Sequence, residues 1–218
     1  MNKTYEIVKR GIDITASAFG IIITSPILLG TAIAIKLESE GPALFKQERI
    51  GMNGKPFTIY KFRSMVVNKD SDKGFSVASD NRITKVGKFI RRFKIDELPQ
   101  LINVLKGDMS LVGPRPYVYN DFKYNKEEEL KVLDGIRPGI TGLASFVYKK
   151  ENYIIDKAID KTKYYREVHL KKKSDLNLEY KKYRGFWVDL QMVLATCKLK
   201  KRKGLPILTF DAKFCLFR

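Results

Sequence analysis

The stretch Lys94-Ile95-Asp96-Glu97-Leu98-Pro99-Gln100-Leu101 places two adjacent carboxylates directly before an amphipathic segment. Pro99 has no amide hydrogen and a fixed φ, so it suits the first turn of a helix and predicts that Asp96 lies at or near the N-cap. Gly107 is placed to end this helix. The apolar spacing i, i+3, i+4, i+7 predicts one buried face, made of Leu98, Leu101, Ile102 and Leu105.

Two arginines, Arg91 and Arg92, lie just upstream of the acidic pair. Carboxylates beside arginines at the start of a helix form a place where a phosphate and a metal ion can both be held. The same residues also fit a capped surface helix with a solvated ion pair. Taken alone, they favour this simpler interpretation.

Composition narrows the choice of partners. The 218 residues suffice for one domain with a core, or for a small domain with an appendage. The 42 Lys and Arg residues against 24 Asp and Glu give a net charge of +18, which favours nucleic acid, an acidic membrane face or phosphorylated substrates. Cys197 and Cys215 have no metal-ligand spacing, and the single histidine, His169, is predicted to be a surface residue without a catalytic role.

The N-terminal segment is long and apolar. The 22 positions from Ile14 to Ile35 carry no charge and would reach roughly 33 Å as a helix, enough to cross a bilayer. Ser25 and Pro26 lie almost at its middle, where proline removes a hydrogen bond and the serine hydroxyl can satisfy a freed carbonyl. This predicts a break at Ser25 and Pro26.

Flanking charges bear on the topology of this segment. Lys9 and Arg10 precede it and Lys36 follows it, so the positive-inside bias draws both ends to the cytoplasmic side. A re-entrant helical hairpin satisfies this bias and an ordinary spanning helix, the main alternative, does not. A signal peptide is disfavoured because the apolar run is too long and no convincing cleavage site follows it.

The centre of the chain predicts a β-hairpin and short helices. Residues 43–45 and 57–60 are expected to form strands joined by a turn-rich loop. A helix is expected from Thr84, with its apolar residues Val86, Phe89 and Ile90 inward. Residues 68–82 are expected to form a polar loop, 119–134 to be helical with an acidic side, and 186–199 to form an amphipathic helix.

Three further groups of cations stand out. Lys61 and Arg63 lie at the predicted end of a strand. In Pro114-Arg115-Pro116 two prolines fix the backbone and hold one guanidinium in a direction suited to bidentate phosphate recognition. A rigid turn with a solvated arginine is the simpler explanation of this pattern. Arg137 heads a second rigid loop.

Lysine and tyrosine alternate between residues 148 and 184. This mixture suits a lipid headgroup layer, where aromatic rings lie at the interface and cations meet phosphate. It also suits stacking on single-stranded nucleic acid. The segment after Lys198 is basic and then apolar and is expected to lie on the membrane.

Taken in order, these motifs resemble one family closely: the monotopic phosphoglycosyl transferases, or bacterial sugar transferases. Any one motif is weak evidence, whereas the ordered set is specific and covers nearly the whole chain. The motifs are Lys9-Arg10 with Asp13, Ser25-Pro26, Lys61-Phe62-Arg63-Ser64-Met65, residues 96–110, Val112-Gly113-Pro114-Arg115-Pro116, and Arg137-Pro138-Gly139-Ile140-Thr141-Gly142.

The resemblance implies an α+β fold. A re-entrant membrane helical hairpin (residues 1–38) would precede a mostly helical cytoplasmic catalytic domain with a short β-hairpin and interfacial amphipathic helices (39–197). A basic and apolar interfacial tail (198–218) would follow. The protein would lie in the bacterial inner membrane, facing the cytoplasm.

The implied reaction transfers a sugar 1-phosphate from a UDP-sugar to polyprenol phosphate, typically undecaprenyl phosphate, and releases UMP. This would be the first membrane step of a surface glycan, with downstream glycosyltransferases as candidate partners and no nucleic acid. Asp96 would be the nucleophile and Glu97 the ligand of Mg²⁺. The implied phosphate-binding residues are Arg91 and Arg115 with Pro114 and Pro116, and, in second rank, Lys61, Arg63 and Arg137.

One departure limits the comparison. After Ala144, many members have glutamine followed by Val-Asn-Gly-Arg, whereas this chain has Ser145-Phe146-Val147-Tyr148-Lys149, so the identity of the sugar cannot be carried over. The alternative function is a membrane-tethered basic module that binds nucleic acid or acidic lipids without catalysis. It leaves Asp96 and Glu97 unexplained, because carboxylates within a polyanion-binding face weaken binding.

Overall fold

The computed structural model describes residues 3–66, 82–148, 155 and 160–196. Within these ranges the fold mixes helices with two small sheets, as the α+β prediction requires. The predicted tail (198–218), most of the predicted polar loop and the end of the last predicted helix lie outside the described residues. Both cysteines also lie outside them.

The elements follow one another closely along the chain. The strands are β1 (Leu44–Ile50), β2 (Pro56–Phe62), β3 (Ser110–Val112) and β4 (Gly139–Thr141). The helices are α1 (Lys3–Glu38), α2 (Lys85–Arg92), α3 (Gln100–Lys106), α4 (Tyr119–Tyr124), α5 (Lys126–Leu133), α6 (Leu143–Val147), α7 (Lys161–Tyr164), α8 (Leu170–Tyr183) and α9 (Phe186–Thr196). A π-helical turn, Tyr165–His169, joins α7 to α8.

Helix α1 is continuous across Pro26, so the prediction of a helical break at Ser25 and Pro26 is wrong for this structure. The Ser25 hydroxyl donates to the Ile22 carbonyl at 2.8 Å, and this is the carbonyl that loses its helical partner to the proline. The local hydrogen bond therefore compensates for the proline and lets the helix continue. Among the described helices, α1 alone is long and apolar enough to cross a membrane.

Both halves of α1 contact the rest of the domain. Near its start, Arg10 donates to the carbonyls of Val104 and Leu105 at 2.6 and 3.0 Å. Near its end, Ile35 is buried with Phe62 of β2 and Ile90 of α2. The apolar helix therefore lies along the domain instead of projecting from it.

The two predicted central strands form an antiparallel hairpin. Strand β1 pairs with β2 in a register that places Leu44 opposite Phe62 and Ile50 opposite Pro56. Ile59 of this hairpin is buried against Val104 of α3. The hairpin thereby forms a rigid support for the segment that carries the acidic pair.

The acidic pair precedes α3 instead of capping it, so the predicted N-cap position of Asp96 is wrong. Lys94 adopts a left-handed conformation (φ 60°), and residues Ile95–Glu97 form a separate 3₁₀ turn. The helix proper begins after Pro99, which is its N-cap residue. Gly107 ends α3 in a left-handed conformation (φ 92°), which confirms that prediction.

The predicted apolar face of α3 is confirmed only in part, because Leu98, Leu101 and Leu105 are half-buried. The residues buried on α3 are Gln100, Asn103 and Val104, whereas Ile102 is exposed. The Asn103 side chain accepts from the Tyr60 amide at 3.0 Å and donates to the Thr58 carbonyl at 2.7 Å. These hydrogen bonds turn the polar Asn103 side chain toward β2. The spacing of the apolar residues therefore does not determine which face of α3 is buried.

Strands β3 and β4 are parallel, and the loops that follow them pack closely. A Cβ added at Gly139 or Gly142 would collide with the backbone of Gly113. The Gly139 amide donates to the Pro114 carbonyl at 2.8 Å. The Arg137–Gly142 motif therefore holds the Pro114-Arg115-Pro116 loop in place.

Residues 119–134 are helical as predicted, in α4 and α5, but one residue of the predicted acidic side is buried. Glu129 on α5 is fully buried and accepts from the Ser174 hydroxyl of α8 at 2.6 Å. The predicted surface position of His169 is wrong, because its ring is fully buried with centroids 4.6 Å from Tyr148 and 5.9 Å from Tyr165. The π-helical turn directs the imidazole inward, while Lys171 and Lys172 stay exposed.

Candidate active site

Helix α2 and the turn after it position the acidic pair. The Thr84 hydroxyl accepts from the Gly87 amide at 2.9 Å, and the Glu38 carboxylate at the end of α1 accepts from the Lys85 amide at 2.7 Å. These two acceptors satisfy the free amides at the start of α2. The left-handed Lys94 then reverses the chain and directs Asp96 and Glu97 back toward β2.

Glu97 lies between two cations. Its Oε1 accepts from Arg115 Nη2 at 2.7 Å and from Lys61 Nζ at 3.4 Å. The Glu97 and Lys61 side chains are nearly buried, whereas Arg115 is about one third exposed. Lys61 comes from the hairpin and Arg115 from the Pro-Arg-Pro loop, so one carboxylate joins two distant parts of the chain.

These charges determine the ionisation of Glu97 and Lys61. Burial alone would raise the pKa of Glu97, but Arg115, Lys61 and Lys94 outweigh burial and hold that pKa well below its usual range. Burial and the nearby Arg115 lower the pKa of Lys61 to about 8, although Glu97 opposes the shift. Glu97 is therefore ionised at neutral pH, and Lys61 is close to titrating.

Asp96 has a different environment. Its Oδ1 is buried and has no hydrogen-bond partner among the described residues. Burial and the adjacent Glu97 charge raise its pKa, while Lys61, Lys94 and Arg91 oppose that rise. A carboxylate that is poorly solvated and lacks hydrogen-bond donors is a stronger nucleophile than one engaged in a salt bridge.

Arg49 is a site residue that the sequence analysis missed. It lies on β1, where its guanidinium donates to Gln47 Oε1 at 2.7 Å and to the Pro116 carbonyl at 3.4 Å. Burial and the nearby Arg115 lower its pKa to about 10, while Asp121 and Glu97 are close enough to oppose the shift. No sequence motif around Arg49 indicates this role. Arg49 reaches the site because β1 pairs with the loop at Tyr117, which is distant in the sequence.

The structure therefore gathers five cations around two carboxylates. The cations are Arg49, Lys61, Arg91, Lys94 and Arg115. The prolines of the Pro114-Arg115-Pro116 loop are buried, and their carbonyls accept from Gly139 and Arg49. The excess of positive charge in a partly buried site favours a multiply charged anion such as a diphosphate.

The family model described as bacterial sugar transferase matches residues 4–202. The chain belongs to the bacterial sugar transferase family. It is 41% identical over 198 residues to the UDP-N-acetylgalactosamine-undecaprenyl-phosphate N-acetylgalactosaminephosphotransferase of Aeromonas hydrophila, covering 89% of this chain and 44% of that protein. It is 38% identical over 195 residues to the UDP-glucose:undecaprenyl-phosphate glucose-1-phosphate transferase of Escherichia coli K12, covering 87% of this chain and 39% of that protein.

The chain therefore spans less than half the length of these two relatives. A relative of similar size is the uncharacterized sugar transferase EpsL of Bacillus subtilis, 38% identical over 192 residues. That alignment covers 88% of this chain and 86% of the relative.

Two cations from the sequence motifs of this bacterial sugar transferase lie apart from the acidic pair. The Arg63 side chain is buried and donates to the carbonyls of Ser39 and Glu40, so it caps the end of α1 instead of facing the site. Arg137 donates to the Gly107 carbonyl at 3.0 Å, at the far end of α3. The predicted phosphate-binding roles of Arg63 and Arg137 stay predictions, and the structure places both guanidinium groups against backbone carbonyls away from Asp96 and Glu97.

The acidic pair fits one divalent cation that is shared with a substrate. Among the described residues no group of three acidic, histidine or cysteine side chains comes together. Glu97 would supply the main protein ligand through oxygen, and Asp96, whose Oδ1 has no hydrogen-bond partner among the described residues, lies beside it. Mg²⁺ is commonly held by one or two carboxylates, with substrate phosphates and water completing its shell.

Proposed function

We propose that this chain transfers a sugar 1-phosphate from a UDP-sugar to polyprenol phosphate, such as undecaprenyl phosphate, and releases UMP. One observation carries the proposal: a buried Asp96 oxygen without a hydrogen-bond partner among the described residues lies beside a carboxylate fixed by Arg115 and Lys61. The names of the relatives support the classes of donor and acceptor.

The proposed first step uses Asp96 as the nucleophile. An Asp96 carboxylate oxygen attacks the sugar-bearing phosphorus of the UDP-sugar. The bond between this phosphorus and the bridging oxygen breaks, and UMP leaves with the bonding electrons. Asp96 then carries the sugar phosphate as an acyl phosphate.

In the proposed second step an oxygen of the polyprenol phosphate attacks the same phosphorus. The bond to Asp96 breaks and the carboxylate is restored, giving polyprenyl diphosphate sugar. The nucleophile in each step is an anion that approaches a charged phosphoryl group. Each step is therefore slow unless positive charge is held around the phosphates.

The cations of the site fulfil this requirement. Arg115 and Lys61 lie on the Glu97 side of the pair, and Arg91 lies close enough to Asp96 to affect its ionisation. Mg²⁺ would supply Lewis-acid neutralisation of the diphosphate, with Glu97 as its main protein ligand. Glu97 also fixes the direction of Arg115, because the two side chains are bonded before substrate binds.

We further propose that α1 lies in the cytoplasmic leaflet of the membrane as one continuous helix, with both of its ends on the cytoplasmic side. The contacts of Arg10 near the start of α1 and Ile35 near its end with one domain support this topology. A cysteine introduced at Asn2 should react with an impermeant maleimide only in inverted vesicles. Labelling in intact cells would instead establish a helix that crosses the membrane.

Release of UMP tests the proposed reaction. Purified protein in lipid nanodiscs with Mg²⁺ and a panel of UDP-sugars should release UMP from at least one sugar, with sustained turnover only when polyprenol phosphate is present. Asp96→Asn should reduce the rate by at least about 1,000-fold, since removal of a nucleophile leaves only binding effects. Absence of UMP with every sugar and lipid would favour the alternative of a basic binding module.

A further inference from the structure

Two phenylalanine rings lie exposed beside the acidic pair. Phe89 on α2 and Phe93 at its C-cap are 57% and 58% exposed, and their ring centroids are 4.8 Å apart. Phe93 precedes Asp96 by three residues. The sequence predicted that Phe89 packs inward with Val86 and Ile90, and for Phe89 this is wrong. Val86 and Ile90 fill the contact with α1 and leave the Phe89 ring outside it.

Exposed cations surround the two rings. Lys88, Arg92 and Lys94 are all exposed, and the Arg92 guanidinium lies 5.7 Å from the centre of the Phe93 ring. Aromatic rings with basic side chains beside them are typical of segments at a membrane surface, where rings enter the acyl boundary and cations meet lipid phosphate. On the described part of α2 the exposed charges are all positive.

Helix α1, against which α2 packs, has exposed apolar residues of its own. Leu28, Ala32 and Ile35 of α1 pack against the cluster that contains Val86 and Ile90. The adjacent stripe of α1 is exposed and consists of Leu29, Ile33 and Leu37, spaced four residues apart. The Phe89 and Phe93 rings thus lie on a helix that packs directly against the apolar helix α1.

We propose that Phe89 and Phe93 insert into the headgroup and acyl boundary of an anionic bilayer as a second membrane contact. This contact fixes the depth and tilt of the Ile95–Glu97 turn relative to the lipid phosphates. The occupant of the surface is the bilayer itself, since α2 packs against the long apolar helix α1 and the exposed charges of α2 complement anionic lipid. The consequence for catalysis, but not the insertion itself, rests on the proposed function.

Fluorescence quenching tests the insertion. Trp187 is the single tryptophan, so Phe93→Trp in a Trp187→Phe background gives one reporter. In liposomes with anionic lipids brominated near the top of the acyl chain, this reporter should lose most of its fluorescence. Tyr119→Trp in the same background is the matched control, because Tyr119 is 55% exposed and lies on α4, which packs on β1. The control should keep its fluorescence.

Two results would overturn the insertion. One is a position-93 reporter that bromine does not quench and aqueous iodide does, which places the ring in water. The other is a reporter shielded from both quenchers, which indicates a protein partner or a second copy of this chain on the surface. Protein concentration separates the last two cases, since only self-association would weaken on dilution.

The catalytic consequence has its own test. Phe89→Gln with Phe93→Gln should leave UMP release without lipid acceptor unchanged. Transfer to polyprenol phosphate in a bilayer should fall by about tenfold or more. The reason is that burying each phenylalanine ring in lipid increases the fraction of protein seated on the bilayer by at least about tenfold. Phe89→Leu with Phe93→Leu should restore transfer, as apolar side chains can still insert.

The outcomes separate the inference from the proposed function. Wild-type transfer rates in the double glutamine variant would contradict the inference. If the wild-type protein released no UMP, the proposed function would fail, and the quenching experiment would still decide whether the rings insert.

Discussion

At the residue scale, the two adjacent carboxylates have opposite environments. Glu97 is held ionised by Arg115, Lys61 and Lys94, which keep its pKa low despite burial. Asp96 has its pKa raised by burial and by the Glu97 charge. Neighbouring acids whose pKa values are pushed apart commonly have different roles in one reaction. Here the division supports Asp96 as the nucleophile and Glu97 as the fixed anion.

The raised pKa of Asp96 predicts an acidic limb in the rate profile. Asp96 attacks only when ionised, so the single-turnover rate of UMP release should rise with pH through a value above that of an ordinary aspartate. Arg91→Gln should shift this limb to higher pH, because Arg91 lowers the pKa of Asp96. A rate that stayed constant down to about pH 3.9, the ordinary aspartate pKa, would contradict the assignment.

Arg49 is predicted to bind the diphosphate. Arg49→Met should raise KM for the UDP-sugar by about ten- to hundredfold, the loss expected when a charge-assisted hydrogen bond is removed. Arg49→Lys should restore only part of the affinity, since lysine lacks the planar fork of arginine. Lys46→Met removes an exposed cation from the same strand and should have little effect. Equal effects of the Lys46 and Arg49 variants would show that only net charge matters.

At the element scale, the Pro114-Arg115-Pro116 loop depends on close packing between glycines. Gly142→Ala should lower activity strongly, because its Cβ collides with the Gly113 carbonyl and displaces the loop that directs Arg115. Overpacking of this kind costs about 1–3 kcal/mol. Gly185→Ala is the control, since a Cβ there meets no atom within 4 Å. Comparison of UMP release and melting temperature in both variants checks the prediction.

Helices α5 and α8 are joined by a buried acid that titrates near neutrality. Burial raises the pKa of Glu129 to about 7, although hydrogen bonds from Ser174 and Tyr117 oppose the rise. Folding therefore favours the protonated form, and Glu129 contributes most stability below its unfolded pKa of about 4.5 and loses it as pH rises through about 7.

Glu129→Gln removes this pH dependence. The variant should gain melting temperature relative to the wild-type protein as pH rises from about 5 to about 8, corresponding to roughly 1–3 kcal/mol. A constant difference in melting temperature across that interval would contradict the burial of an ionisable Glu129.

The sequence alone was sufficient to predict those elements that are determined by residues close together in the chain. The β-hairpin, the start of a helix near Thr84 and the Gly107 end of α3 each follow from residues within one element, and each is confirmed. The buried face of α3 could not be predicted, because Asn103 hydrogen-bonds to β2, which lies more than 40 residues earlier. The inward prediction for Phe89 failed for a similar reason: the contact with α1 accommodates Ile90 and Val86 only.

At the scale of the whole molecule, the candidate site combines distant parts of the chain. Lys61 and Arg49 come from the hairpin, Arg91 from α2 and Arg115 from the loop after β3. The sequence motifs identified Lys61, Arg91 and Arg115 because each lies in a recognisable motif. Motifs alone did not distinguish them from Arg63 and Arg137, whose guanidinium groups bind backbone carbonyls.

The most direct test of the account is the intact mass of the protein after incubation with Mg²⁺ and UDP-sugars in the absence of polyprenol phosphate. We expect a gain of one sugar phosphate, mapped by peptide fragmentation to Asp96 and absent in Asp96→Asn. Hydroxylamine, which cleaves acyl phosphates, should remove the adduct. UMP release with no adduct under rapid quenching, or an adduct on another residue, would contradict Asp96 as the nucleophile.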